Sequence, residues 1–176
     1  MTLSTPRLVL ASCAVLASVA LAIAVQADAP PDQYAIFQAQ TPTIKDMHAL
    51  LEWERFPENN LLTGDAGADG GMWAEKQTFA DATDRCQRLG GGWRLPTVKE
   101  LLTIIDEEPH QVYFDGGTPY IYVDRNAFPT AKPETYWSSS ASTINNQVWT
   151  VDFGTGQTQP DNGIVPHLNR CVRVAP

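Results

Sequence analysis

The sequence predicts an α+β domain, and three observations predict it. Two segments, residues 73–89 and 96–105, carry apolar residues at three- and four-residue steps on either side of Gly90-Gly91-Gly92. From Thr135 onward the chain turns to short runs rich in β-branched and aromatic residues. Beyond residue 27 only two cysteines remain, Cys86 and Cys171. At 176 residues the chain holds one domain with a proper core and is too short for two comfortable ones.

The N-terminus stands apart from that domain. Arg7 is the only charge in the first 27 residues, an apolar stretch runs from Leu8 to Val25, and Val25-Gln26-Ala27 is a small-residue site. A positive charge, an apolar run and small residues at the cut read as a secretory signal spanning residues 1–27. Cleavage after Ala29 would place Pro30 just behind the cut, so Ala27 is the better site. Two alternatives stand beside it. Leu10-Ala11-Ser12-Cys13 matches a lipobox, although the apolar run before Cys13 is shorter than the roughly 7 to 15 residues expected. The stretch is also near the roughly 17 to 25 residues that span a bilayer. The protein contacts a membrane only if Cys13 is lipidated or the segment stays uncleaved. Either way the chain is exported, to the periplasm, the cell surface or the medium.

Cleavage after Ala27 removes Arg7 alone, leaving 11 basic against 20 acidic residues, a net charge of −9. That charge repels phosphate backbones and disfavours nucleic acid as a partner. An even pair of cysteines in an oxidising compartment favours one structural disulfide. No Cys-x-x-Cys spacing or nearby His points to a metal site.

Residues 28–43 form an extended leader whose Ala29-Pro30-Pro31-Asp32 start has no core-forming pattern. The domain proper occupies residues 44–176, and Ile44 to Trp53 offers a strand or strand pair. A Pro-, Asn-, Asp- and Gly-rich loop runs from Phe56 to Gly71. Trp73 to Leu89 reads as a helix, with Trp73, Phe79, Ala80, Thr83 and Cys86 to Leu89 along one face and the glycines as its stop. Thr97 and Glu100 form a capping box that opens a second helix, and Leu101, Leu102, Ile104 and Ile105 give it a buried face. Gln111 to Phe114 and Tyr120 to Val123 flank a Gly turn and read as a hairpin. Strands follow at Thr135 to Ser139, Gln147 to Phe153 and Asn169 to Val174.

Two segments are specific in combination: Gly91-Gly92-Trp93-Arg94-Leu95-Pro96-Thr97 and Tyr136-Trp137-Ser138-Ser139-Ser140. With Val148 to Phe153 and the closing Arg170-Cys171-Val172-Arg173, they resemble the Lcl C-terminal domain family, named for a bacterial collagen-like adhesin. The resemblance covers residues 44 to 174. It implies a C-type lectin-like fold: two helices packed on a small, mostly antiparallel sheet, with N- and C-terminal strands side by side. It also implies a bridge from the first helix to the last strand, where Cys86 and Cys171 sit. The family contains extracellular and surface proteins, some of which bind polysaccharide. Members usually run more directly from the second helix to the step seen here as Asp124 to Pro129, so residues 107–121 look like a local insertion.

No constellation points to catalysis. Ser138, Ser139 and Ser140 lie in a strand-like run rather than a nucleophile elbow, and His48, His110 and His167 are too dispersed for a zinc helix. An oxidase on a related fold uses reactive cysteines, and this chain has none to spare once Cys86 and Cys171 are bridged. Gln159-Pro160-Asp161 resembles the calcium-binding triplet of sugar-binding C-type lectins. The later Trp-Asn-Asp that such a site needs does not follow, and one loop cannot supply 6 to 8 oxygens. It reads as a polar loop, with Asp161 and Asn162 as rim contacts and no calcium or other cofactor required. Asp65 and Asp69 read as a solvated turn, and Glu107, Glu108 and His110 as an exposed loop. The five tryptophans belong mainly to core segments. Tyr113, Phe114, Tyr120 and Tyr122 in the insertion are the better ligand contacts, because exposed loop aromatics mark binding surfaces. The expectation is a non-enzymatic binding module for a glycan or a surface protein, or else an assembly subunit of an envelope complex.

Overall fold

Tyr34–Phe37 (β1), Thr43–Asp46 (β2) and Leu51–Glu54 (β3) form an antiparallel meander in the computed structural model, which describes residues 29–30, 32–37, 42–56, 76–112 and 120–176. The first 27 residues, read as a secretory signal, with Cys13, the pair Asp65 and Asp69, Trp73, Tyr113 and Phe114 lie outside the described residues. Asp46 makes the turn between β2 and β3: its Oδ1 accepts the N–H groups of His48 and Ala49, both at 2.9 Å. Val172–Val174 (β9) then pairs antiparallel with β3, so the first and last parts of the domain lie side by side in a sheet of order β1-β2-β3-β9. The leader, read as patternless, supplies β1. Among its described residues Tyr34 reaches the core, meeting Phe128 edge-on at 5.4 Å.

The first helix, α1, spans Phe79–Arg88 and so starts six residues later than the apolar spacing from Trp73 suggested. Thr78 is the reason: its Oγ1 accepts from the Asp81 N–H and fixes the N-cap there. Gln77 before it spends both backbone groups on His167, at 2.8 and 3.0 Å. Ala82 and Cys86 are fully buried on the helix, whereas Leu89 is exposed. Gly90 follows in the left-handed region at φ 67°, which suits glycine and ends the helix. The second helix, α2, is a single short segment, Val98–Leu102, and carries the capping box read in the sequence. Leu101 and Ile104 are buried, but Leu102 turns to solvent.

Beyond α2, His110–Gln111 (β4) pairs with Tyr120–Ile121 (β5). Thr135–Ala141 (β6), Val148–Asp152 (β7) and Thr158–Asp161 (β8) form an antiparallel three-stranded sheet. Gln159-Pro160-Asp161, read as loop, is therefore edge strand. Pro160 is tolerated there because an edge strand has one unpaired side.

The main core fills the space between the two larger sheets, with Trp53, Phe128, Tyr136 and Phe153 at its centre. A smaller cluster under α1 joins Ala82, Leu95 and Trp137 to the Cys86–Cys171 bridge. Each fully buried large apolar side chain contributes about 1.5 to 3 kcal/mol. Trp53 and Trp137 are fully buried, and Trp93 lies under the Arg173 guanidinium at 4.8 Å. Arg94 reaches Glu100 through both terminal nitrogens, at 2.8 and 2.6 Å, as a half-buried pair. Among the described residues no helix is long and apolar enough to cross a membrane.

Two carboxyls are held below their ordinary pKa. Burial alone would raise Glu52, but the hydrogen bonds from Arg173 and Thr43 and the charges of Arg173 and Lys45 outweigh it. Burial is likewise outweighed at Glu100, by Arg94 and by the Thr97 cap. A carboxyl whose folded-state pKa lies below its unfolded one stabilises the fold above the unfolded value, about 4.3, and loses that contribution as pH falls through the folded value. Stability should therefore decline on acidification below about pH 4.3, and E52Q/E100Q should flatten the decline. Urea midpoints measured across that window check it.

Candidate functional site

The β4–β5 hairpin is anchored from below. Val112, Ile121 and Val123 are buried in the main core, which leaves Tyr120 pointing out at 44 % exposure. Tyr122 is half-buried, and its backbone is spent on both sides. Its carbonyl accepts the Asp106 N–H at 2.8 Å, and its own N–H donates to Phe153 at 2.8 Å. Below it, Ile105 and the ring of Tyr122 close around Gly156, where a Cβ would lie 3.3 Å from Ile105. Asp106 is also oriented by its side chain, with Oδ2 2.8 Å from His110 Nε2.

Next to this hairpin a cleft of about 390 Å³ separates the segment after α2 from the leader. Thr103, Ile105, Asp106 and Glu107 form one wall, and Ala29, Pro30 and Gln33 the other. Gln33 ties the walls together, its Nε2 donating to the Thr103 carbonyl at 3.4 Å. The cleft presents three apolar residues, Ala29, Pro30 and Ile105, beside two acidic ones. This suits a ligand with an apolar body and donor or cationic groups at its rim.

Asp161 and Asn162 occupy a different place. Asp161 Oδ2 lies 2.7 Å from His167 Nε2, and its Oδ1 accepts the Asn162 N–H at 2.6 Å. Asn162 in turn caps the Ile164 N–H at 3.2 Å. Asp161 pairs with Val148 at one end of the β7–β8 hairpin, whereas Tyr122 bonds Phe153 at the other end. Five strand residues separate those ends, about 17 Å. Tyr122 is thus joined to the acidic cleft through its backbone bond with Asp106, and Asp161 and Asn162 are not.

The serines are structural fittings. Ser138 is fully buried and donates to the Trp149 carbonyl at 2.6 Å. Ser140 accepts the Val98 N–H at 3.0 Å and thereby helps start α2. Among the described residues no group of three or more His, Cys, Asp or Glu side chains converges as a metal site.

The leader wall and Asp106 were missed in the sequence. Gln33 and Thr103 are 70 residues apart, so no local pattern announces their meeting. The Asp106 to His110 spacing of four residues was the one available signal.

The Lcl C-terminal domain model matches residues 42–173, most of the chain. The chain belongs to this family. The matched span includes the hairpin, the segment after α2 and the bridge, and it begins after β1. No curated protein matches the chain in sequence.

Proposed function

We propose that this Lcl C-terminal domain is an exported, non-enzymatic binding module of C-type lectin-like fold, recognising a glycan or a surface protein. Tyr120 is the observation that carries the reading: an exposed aromatic on a ribbon whose neighbours Ile121 and Val123 are locked in the core. Such an aromatic loses little conformational freedom on binding, because its scaffold is already fixed. The adjoining cleft supplies the polar rim. In support of the fold stand the pairing of β3 with β9 and the bridge from α1 to the segment leading into β9. In support of export stand that same bridge and the signal-like first 27 residues. The structural use of Ser138 and Ser140, and of both cysteines, favours a role without catalysis or cofactor.

A second reading, an assembly subunit of an envelope complex, is favoured by one observation. Among the described residues strand β1 ends its sheet, with Ile36 and Phe37 exposed.

Photo-crosslinking in the producing cell tests the first reading. With p-benzoylphenylalanine in place of Tyr120, the expected result is a discrete adduct. The same group in place of Ala141, exposed at the end of β6, should give none. Equal labelling at both positions, or none at Tyr120, contradicts the assignment of the hairpin.

A further inference from the structure

Met47 donates to the Gln33 carbonyl at 2.8 Å, which sets the phase of the β1–β2 ladder. Residues that exchange backbone bonds alternate along an antiparallel pair. Ala35 and Phe37 therefore face β2, and the N–H and C=O groups of Tyr34 and Ile36 face the outer side. Edge strands are usually guarded by charge, proline or a bulge. The strand Tyr34-Ala35-Ile36-Phe37 has no charge and no proline, and its register with β2 is unbroken. Ile36 is 41 % and Phe37 50 % exposed.

A groove of about 200 Å³ lies beside this strand, with Tyr34 and Ile36 on one side, Asp124 and Asn126 on the other, and Asp32 among its walls. It shares Ala29, Pro30 and Gln33 with the cleft that carries Asp106 and Glu107. Among the described residues no Lys or Arg lines either hollow. Strand addition gains affinity from main-chain bonds and selectivity from alternate side chains. Acidic walls select basic residues at those alternate positions.

We propose that the β1 edge docks an extended segment of a partner protein, which adds as a further strand and carries Lys or Arg at alternate positions facing Asp32 and Asp124. A second copy of this chain is a poor occupant. Its own β1 is uncharged, and two copies of this acidic chain bring like-charged grooves together. The proposal rests on the assembly reading only in requiring a protein partner; it does not depend on what Tyr120 binds.

Fluorescence anisotropy of the exported protein tests it with a labelled peptide of alternating Lys and Val, about eight residues long. The expected result is saturable binding, weakened about ten-fold when alternate peptide amides are N-methylated, because the strand-forming donors are then lost. A Glu–Val peptide should not bind. In the protein, Ile36→Pro removes an outward N–H and no bond to β2, so it should keep the thermal midpoint and weaken binding about ten-fold. D32N/D124N should weaken binding and flatten its dependence on salt. No binding of the Lys–Val peptide, equal binding of the N-methylated or Glu–Val peptide, or undiminished binding by a folded I36P protein overturns the proposal. So does a dimer in sedimentation that I36P abolishes, since the occupant is then a second copy. If I36P does not fold, the N-methylated peptide still decides. Success at Tyr120 with failure of the peptide removes this proposal alone; the reverse removes the hairpin assignment and leaves the edge site standing.

Discussion

Replacing Cys86 and Cys171 by alanine is expected to cost about 4 to 5 kcal/mol of stability. The bridge joins residues 85 apart in sequence, and closing a loop of that length removes much of the unfolded chain's freedom. In the folded state it connects α1 to the residue just before β9, so it also ties the C-terminal strand to the helical side. Both cysteines are fully buried beside Ala82, Leu95 and Trp137, where the alanines leave only small voids. Domains of this size are stable by about 5 to 15 kcal/mol, so the loss takes a large share of the total. Urea unfolding of C86A/C171A against the oxidised protein measures it. A difference below about 1 kcal/mol contradicts a structural brace. A stable variant that had lost a chemical activity would instead indicate a redox role.

Arg85→Met is expected to cost about 3 to 5 kcal/mol, because it strands a buried carboxylate. Arg85 and Glu54 are 8 % and 4 % exposed, and two guanidinium nitrogens reach the two carboxylate oxygens at 3.0 and 2.6 Å. Arg85 also donates to Asn169 Oδ1 at 3.0 Å, and Glu54 accepts the Cys171 N–H at 3.2 Å. The pair thus joins α1, β3 and the approach to β9 beside the bridge. Removing both charges relieves the stranded carboxylate, so E54L/R85M should be more stable than R85M alone. It should still fall short of the wild type by about 1 to 3 kcal/mol, since the Cys171 N–H loses its acceptor. If the double variant were the less stable one, the penalty would lie in packing rather than in buried charge.

What the sequence disclosed follows from how local each feature is. The capping box at Thr97 and Glu100 spans four residues and was legible, as were the β2–β3 pair and the strand around Trp149. The start of α1 was not, because the apolar step from Trp73 competes with Thr78, and the outcome depends on Gln77 bonding His167 far along the chain. Strand β1 shows no alternation, since only Tyr34 of its four residues packs against the core. Strand β8 is polar because it forms an edge with little to bury. Tyr120 and Tyr122 could be picked out by their chemistry, whereas Gln33 and Asp106 join the candidate site only through long-range contacts. Asp161 was picked out by its motif, and its side chain is paired with His167 instead.

A glycan array with the protein, run with calcium and again with chelator, tests the central claim most directly. The account predicts specific binding that survives the chelator and is lost in Tyr120→Ala, because recognition rests on the anchored hairpin and the cleft beside it. Binding abolished by the chelator contradicts it and returns the site to Gln159-Pro160-Asp161. Specific binding that Tyr120→Ala leaves intact also contradicts it, by removing the hairpin from recognition. An array without any hit excludes the glycan and leaves protein partnership as the function of this surface.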